Sequence, residues 1–312
     1  MRPRSKNRPT VGNLLETLPQ GGRVAIIRLR SLGDCVLTTP AIQLLKRYRN
    51  DLEISVVVED RFRDIFGENP DVSRILPPEP GALRRMHPEL CLNFHGGTRS
   101  AWMTAFSGAR LRAGFGHFRW QSAYNQRIPR AQQILGVDRQ VHTAEHLASA
   151  MFWLGVPVTQ IPRARLVAQT YTGREACATI HPVAATASKT WSAAGFLEVA
   201  RYLQANGTEP VFIGGPGDDL SPFRDFRRLS GAPLNEIKSL LKLASFFIGN
   251  DSGPAHMAAA FGVPSVVIFG DSDPAIWGPW RTSAEVISNP SGIGGVRVEQ
   301  VLAALTRLRV HA

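Results

Sequence analysis

The sequence predicts an α/β protein made of two Rossmann-like, doubly wound halves that face each other across a cleft. Three observations lead there. Short apolar runs alternate with amphipathic helical stretches along most of the chain. The alternation lapses once, between Gly155 and Gly173, and then restarts. The length of 312 residues accommodates two domains of ordinary size. In such folds the strands are parallel and covered on both faces, and ligands bind at their carboxyl ends.

The first half, residues 23–160, opens with the apolar run Val24 to Leu29, a tight loop Arg30-Ser31-Leu32-Gly33-Asp34, and a helical stretch from Thr39 to Tyr48 with Ile42, Leu44 and Leu45 inward. Further strands are predicted over Ile54 to Val58, Val72 to Leu76, Leu90 to Phe94 and Leu111 to Ala113. Helices are predicted over Arg61 to Phe66, around Trp102, Met103 and Phe106, and over Thr143 to Leu154. Before this half, residues 1–22 carry Arg2, Arg4, Lys6 and Arg8 and a small leucine cluster, Leu14, Leu15 and Leu18, and read as a basic, peripheral extension.

The stretch with Val156-Pro157 and Ile161-Pro162 reads as the linker. The second half, residues 161–312, then repeats the pattern, with strands over Ala176 to Ile180, Pro210 to Ile213, Phe246 to Ile248 and Ser265 to Phe269. Its helices are predicted over Ala194 to Gln204, Asp219 to Leu229, Leu234 to Leu243 and Pro254 to Phe261.

With 44% hydrophobic and 20% charged residues, the composition excludes a disordered or collagen-like chain. Three cysteines without a CxxC pair offer neither a disulfide framework nor a zinc knuckle, which suits a reducing cytoplasm. Apolar runs such as Pro264 to Phe269 are far shorter than the roughly 20 residues a bilayer requires, and the first twenty residues lack a signal-peptide core.

The net charge of +11 is concentrated: residues 1–165 hold 24 Lys and Arg against 13 Asp and Glu, and the remainder holds 12 of each. Of the 36 cations 31 are arginine, whose planar fork binds phosphate and carboxylate. The first half therefore either meets an anionic partner or presents a solvated arginine-rich face. No RNP-like motif or helix-turn-helix signature accompanies the charge, which disfavours a nucleic-acid partner.

Five segments can carry chemistry. Ser31-Leu32-Gly33-Asp34 leaves a strand and opens a helix, so it can receive an anion on free N–H groups; Asp34 is either a proton acceptor at the cleft or a cap of that helix. Lys189, in the segment His181-Pro182 to Lys189-Thr190-Trp191, is placed to neutralise a phosphate. The turn Gly214-Gly215-Pro216-Gly217-Asp218-Asp219 matches neither the dinucleotide nor the P-loop signature, but Asp218 or Asp219 can accept ribose hydroxyls.

The most specific segment is Gly249-Asn250-Asp251-Ser252-Gly253-Pro254-Ala255-His256. Here Pro254 opens a helix whose first N–H groups, at Ser252 and Gly253, suit a pyrophosphate, with His256 one turn in. In the fifth segment Asp271 and Asp273 form a DxD, but no third ligand is close in sequence, which argues against a metal.

In this order the motifs resemble the bacterial ADP-heptose:lipopolysaccharide heptosyltransferases, which have the two-Rossmann glycosyltransferase B architecture. The resemblance runs from Arg23 to Leu308. It rests chiefly on Ser31-Leu-Gly-Asp34, Lys189-Thr-Trp191, Asn250-Asp-Ser-Gly-Pro-Ala-His256 and the segment Asp273-Pro to Trp277-Gly-Pro. It implies inverting, metal-independent transfer of a heptose from ADP-heptose to a sugar hydroxyl of the lipopolysaccharide inner core, with no cofactor, at the cytoplasmic face of the inner membrane.

By position it implies Asp34 as general base and Ser31, Gly33, Lys189, Asp218, Asp251, Ser252, Gly253 and His256 on the donor side. Arg99 and Arg112, expected in loops beyond strand ends, become candidates for the anionic acceptor. A transferase of another nucleotide sugar, or a nucleotide-sugar-binding protein without turnover, is the alternative.

Overall fold

The computed structural model describes residues 13–169 and 177–310, with 309 and 310 described in backbone only. The chain divides into two compact units, Met1–Pro162 and Arg163–Ala312.

The first unit runs β1 (Arg23–Ile27), α1 (Leu32–Tyr48), β2 (Glu53–Val57), β3 (Arg74–Leu76), α2 (Pro80–Met86), β4 (Leu90–Asn93), α3 (Thr98–Ala105), β5 (Leu111–Phe115), β6 (Gln126–Ile128), α4 (Ala131–Leu135) and α5 (Thr143–Leu154). Its six strands are all parallel, in the order β3-β2-β1-β4-β5-β6. The central strands are buried almost throughout, which is why they read as unbroken apolar runs rather than alternating ones. Ala25, Ile27, Val57 and Cys91 meet Leu83 and Met86 of α2 and Met103 of α3, so these two helices share one face of the sheet.

The second unit runs β7 (Cys177–His181), α6 (Ala193–Ala205), β8 (Glu209–Gly214), β9 (Arg227–Ser230), α7 (Leu234–Leu243), β10 (Phe246–Asn250), α8 (Gly253–Phe261), β11 (Ser265–Ile268), α9 (Pro274–Trp277), β12 (Ala284–Ile287) and α10 (Val298–Val310). Its parallel order, β12-β11-β10-β7-β8-β9, is that of the first unit read from the other edge. Phe196, Val199 and Leu203 of α6 and Val301, Leu305 and Leu308 of α10 pack on Ile180, Phe212, Ile248 and Val266. In both units the winding reverses beside the unit's first strand, at β1/β4 and at β7/β10. Two neighbouring strands there send their connections to opposite faces and leave a crevice at their carboxyl ends.

The structure corrects several expectations. Helix α1 starts at Leu32, not Thr39, so Ser31 to Asp34 is its first turn and Pro40 lies inside it. Proline removes the N–H that would bond Val36, and the Thr39 hydroxyl donates to the Val36 carbonyl instead, at 2.8 Å. Asp219 to Leu229 is not a helix. The Asp219 carboxylate accepts the Ser221 N–H in a local turn, and Arg227–Ser230 is drawn into the sheet as an edge strand beside β8. Residues 13–22 belong to the first unit: Leu15 and Leu18 are buried, and the Arg49 guanidinium binds the carbonyls of Leu15, Leu18 and Pro19.

The basic residues Arg2 to Arg8 lie outside the described residues, as does the end of the expected linker. Of that linker, 163–169 is docked on the second unit, with Ser239 and Lys242 of α7 bonding the carbonyls of Gln169 and Ala168. The elements α2, β6, α4, β12 and α10 are too short, or too weakly patterned, to read from the chain alone. No helix among the described residues is long and apolar enough to cross a membrane. All three cysteines are free and buried.

Two outcomes follow for stability. Thr39→Val keeps shape but orphans a buried carbonyl, and should lower unfolding free energy by about 1–3 kcal/mol in denaturant titration. His146 on α5 is stacked 4.0 Å from Phe115, and burial, reinforced by the charges of His117 and Arg28, pushes its pKa down from 6.5 to about 4. The unfolded chain therefore binds a proton there that the folded one refuses. The stability His146 permits is complete above pH 6.5 and is lost as pH falls toward 4, and His146→Phe should flatten that part of a stability-against-pH curve.

Candidate functional site

Two sets of polar residues lie at the carboxyl ends of the strands, one in each unit. In the first, the chain leaves β1 through Arg28, Leu29 and Arg30 into Ser31, the N-cap of α1. Asp34, third in the helix, turns back: its Oδ2 accepts from the Ser31 N–H (3.2 Å) and the Ser31 hydroxyl (3.0 Å). Its Oδ1 takes Nη1 of Arg28 at 3.2 Å. A carboxylate offers about four lone-pair sites, so one remains, on Oδ1, for an incoming hydroxyl. The two sequence readings of Asp34 are thus compatible, since capping uses Oδ2 and leaves Oδ1. Ser31 and Gly33 serve this turn, Ser31 as its cap and Gly33 buried within it.

Asp34 opens onto a pocket of about 440 Å³ lined by Arg28, Arg30, Ser31, Arg61, Phe62 and His95. Arg28 is buried, and its Nε has no hydrogen-bond partner. Arg61 lies over the Phe62 ring with its guanidinium held by Glu59. Burial and the Arg28 charge hold the His95 pKa below its ordinary value. Three guanidinium groups line the pocket beside one carboxylate; Arg28 is paired with Asp34 and Arg61 with Glu59, so the lining keeps a positive excess.

The other side of the β1/β4 crevice is built on Asn93, the fully buried last residue of β4. Its amide oxygen accepts the N–H groups of His95 and Gly96, and its nitrogen donates to Ser100 and to Tyr124. Arg99 stands in the first turn of α3, at this carboxyl edge, and donates to the Pro78 carbonyl. Arg112 does not lie beyond a strand end. It is the second residue of β5, at the amino end of the sheet, and its guanidinium is spent on the carbonyls of Ala109 and Ala123, so its role is to hold the β5–β6 connection.

In the second unit the loops after β7 and β10 meet. Asn250, the buried last residue of β10, accepts the Trp191 N–H through its oxygen and donates to the Pro182 carbonyl. This clamp brings Lys189 to Asp251, where Nζ lies 3.2 Å from Oδ2, and Ser272 donates to the same oxygen. Gly270 is required here, since a Cβ at that position would lie 1.9 Å from the Ser188 carbonyl oxygen. Asp251 is buried and, being an acceptor only, fixes the Lys189 ammonium and the Ser272 hydroxyl rather than touching a phosphate itself.

Ser252 is the N-cap of α8, yet its side chain makes no bond to that helix. Its hydroxyl lies 3.0 Å from Nδ1 of His181, whose pKa burial pushes down to about 4, so the ring is neutral near pH 7. With Gly253 at the first helical position and Pro254 next, the α8 N-terminus is open toward an anion. His256 is buried one turn in, its ring 6.4 Å from that of Trp277.

Asp218 is half-buried, accepts the Gly215 N–H at 2.7 Å and lies close enough to His181 to act on its charge. Asp219 is exposed and committed to Ser221. Only Asp218 therefore belongs to this cluster. Asp273 caps α9 through the Ala275 N–H, and no group of three His, Cys, Asp or Glu among the described residues is placed to hold a metal.

Sequence reasoning gave no role to Arg28, Arg61 and His95 around Asp34, nor to His181 and Ser272 around Lys189, although His181 opens the segment read for Lys189. No spacing rule marks them, because each comes from a different strand end. The paired asparagines had one signal: a polar residue closing an apolar strand.

The glycosyltransferase family 9 (heptosyltransferase) family model matches residues 81–300. Lipopolysaccharide heptosyltransferase 3 of Escherichia coli is 26% identical over 298 residues, covering 82% of this chain and 85% of that protein. Among solved structures, the glycosyl transferase family 9 from Veillonella parvula superposes with a TM-score of 0.84 at 20% identity, over 96% of this chain and 100% of that one. The E. coli heptosyltransferase WaaC with ADP superposes with a TM-score of 0.76 at 18% identity, over 92% and 99%. These two likenesses match the two parallel sheets, and with more than half of the chain inside the family model, the protein belongs to glycosyltransferase family 9, the heptosyltransferases.

Proposed function

We infer that this chain transfers a heptose from ADP-heptose to a sugar hydroxyl of the lipopolysaccharide inner core, with inversion and without a metal. Family membership supports the reaction class. The names of the relatives support the acceptor, and a WaaC structure solved with ADP-2-deoxy-2-fluoro heptose supports the donor. The observation that carries the reading is an uncapped helix N-terminus beside an anchored lysine at the reversal point of the second sheet.

The donor diphosphate lies against the N–H groups at Ser252 and Gly253, with Lys189 as a point charge and Asp218 on the ribose. The α8 dipole and the Lys189 ammonium stabilise the charge that develops on the departing ADP. His181, neutral, orients the Ser252 hydroxyl without adding charge. His256 closes the sugar end of the loop.

On the acceptor side, the free lone pair of Asp34 Oδ1 takes the proton of the attacking hydroxyl while Ser31 and Arg28 hold the carboxylate in place. The acceptor oxygen bonds to the anomeric carbon as the bond to the diphosphate breaks. A base in this position contributes about 10²–10⁴-fold. The arginine pocket and Arg99 receive the phosphate or carboxylate groups of the glycolipid. The enzyme then works in the cytoplasm, at the inner face of the inner membrane.

Two substitutions test the assignment through ADP release with ADP-heptose and heptose-deficient lipopolysaccharide acceptors in EDTA. Asp34→Asn should lower kcat by at least about 10²-fold with donor affinity unchanged; wild-type turnover would remove Asp34 as base. Lys189→Ala should weaken ADP binding in calorimetry by about tenfold, as expected for the loss of one charge-assisted contact. Unchanged ADP affinity would leave Lys189 as the partner of Asp251 alone. Loss of wild-type turnover in EDTA would overturn the metal-free reading.

A further inference from the structure

On the face of the first sheet covered by α2 and α3 lies a surface the transfer reaction does not use. Trp102 and Phe106 are 57% and 51% exposed, and their rings are stacked at 5.3 Å, nearly coplanar. Four residues before Trp102 on the same helical face, Thr98 accepts the indole N–H of Trp120, itself 38% exposed. The segment 118–124 that carries Trp120 is anchored to α3, through Ala101 against Ala123, Tyr124 and Phe118. Three large aromatic side chains thus stand out of one face, more than a third of each exposed even with the Trp102–Phe106 stacking.

Arginine accompanies them on the same side of the sheet. Arg84 and Arg85 are exposed on α2, which shares that face with α3, and Arg119 lies over the Trp120 ring. From residue 79 to residue 130 the sequence has eight arginines and two acidic residues. A second copy of this surface docked on the first in two-fold fashion would set arginine against arginine. An anionic bilayer fits both features, because indole and phenyl rings settle at the headgroup boundary while guanidinium groups pair with lipid phosphates.

We propose that the α2–α3 face, through Trp102, Phe106 and Trp120 with Arg84, Arg85 and Arg119, docks the protein on an anionic membrane surface. The inference builds on the reading of the acceptor as a membrane glycolipid. Docking by this face presents the chain to an acceptor already fixed in that surface, and it uses the positive excess of the first unit that the Asp34 pocket leaves unexplained.

The test is co-sedimentation of the full-length protein with phosphatidylethanolamine vesicles containing phosphatidylglycerol, against phosphatidylcholine vesicles. The wild type should bind the anionic vesicles only, less at higher salt. Trp102→Ser with Phe106→Ser, and separately Arg84→Ser with Arg85→Ser, should each weaken binding at least about tenfold. Val158→Ser, which removes an apolar side chain 70% exposed elsewhere in the same unit, should bind as wild type.

All variants should keep wild-type turnover on a deacylated, soluble acceptor. That measurement separates the two readings, since its failure in the wild type would bear on the transfer reaction and not on docking. Wild-type protein that ignores anionic vesicles, or an aromatic variant that binds them undiminished, would overturn the proposal. So would a wild-type dimer in gel filtration that Trp102→Ser with Phe106→Ser converts to monomer, since the face would then belong to a second copy.

Discussion

Each sheet reverses its winding beside a strand that ends in a fully buried asparagine, and both sites depend on those two side chains. Asn93 at the end of β4 and Asn250 at the end of β10 each use the amide oxygen and the amide nitrogen at once. A parallel strand that stops in the interior leaves the following backbone groups without a ladder, and a buried unpaired amide costs about 1–3 kcal/mol. In both units the asparagine supplies those bonds and so sets the path of the loop. Asn93 holds the start of the His95 loop; Asn250 clamps the β7 loop that carries Lys189.

On these scaffolds the two units treat charge in opposite ways. The first unit gathers guanidinium groups around Asp34, so the carboxylate is held by cations and a hydroxyl while the pocket as a whole favours anions. Around Asp251 in the second unit the arrangement differs. One ammonium is held in place by a buried carboxylate, and the helix N-terminus of α8 supplies the rest of the positive potential without a further side chain. A phosphate leaving group needs positive potential that is already oriented when charge develops.

Desolvation keeps two histidines neutral. His146 and His181 are both pushed to about 4 by burial, one stacked against Phe115 and the other bonded to Ser252. A protonated ring at His181 would compete with Lys189 for the same anion and weaken the bond that orients Ser252. A neutral ring leaves the Lys189 ammonium, fixed by Asp251, without a second cation at His181.

Much of this was legible in the chain. The apolar runs of β1, β4, β7 and β10 announce parallel strands buried on both faces, and Ser31 to Asp34 and Asn250 to His256 announce polar segments at the carboxyl ends of β1 and β10, because local composition survives in sequence. What stayed hidden depends on partners distant in the chain. Pro40 masked the first two turns of α1 until Thr39 was seen to replace its missing bond. Arg227–Ser230 became a strand because β8 had an open edge, and Arg112 proved to be a strut because two carbonyls lay within its reach.

Periodicity and local composition thus determined the fold class and the polar segments at the strand ends. The tertiary structure alone decided which residues converge, since Arg28, Arg61 and His95 line one pocket with Asp34 from three different strand ends, and only strand order brings those ends together.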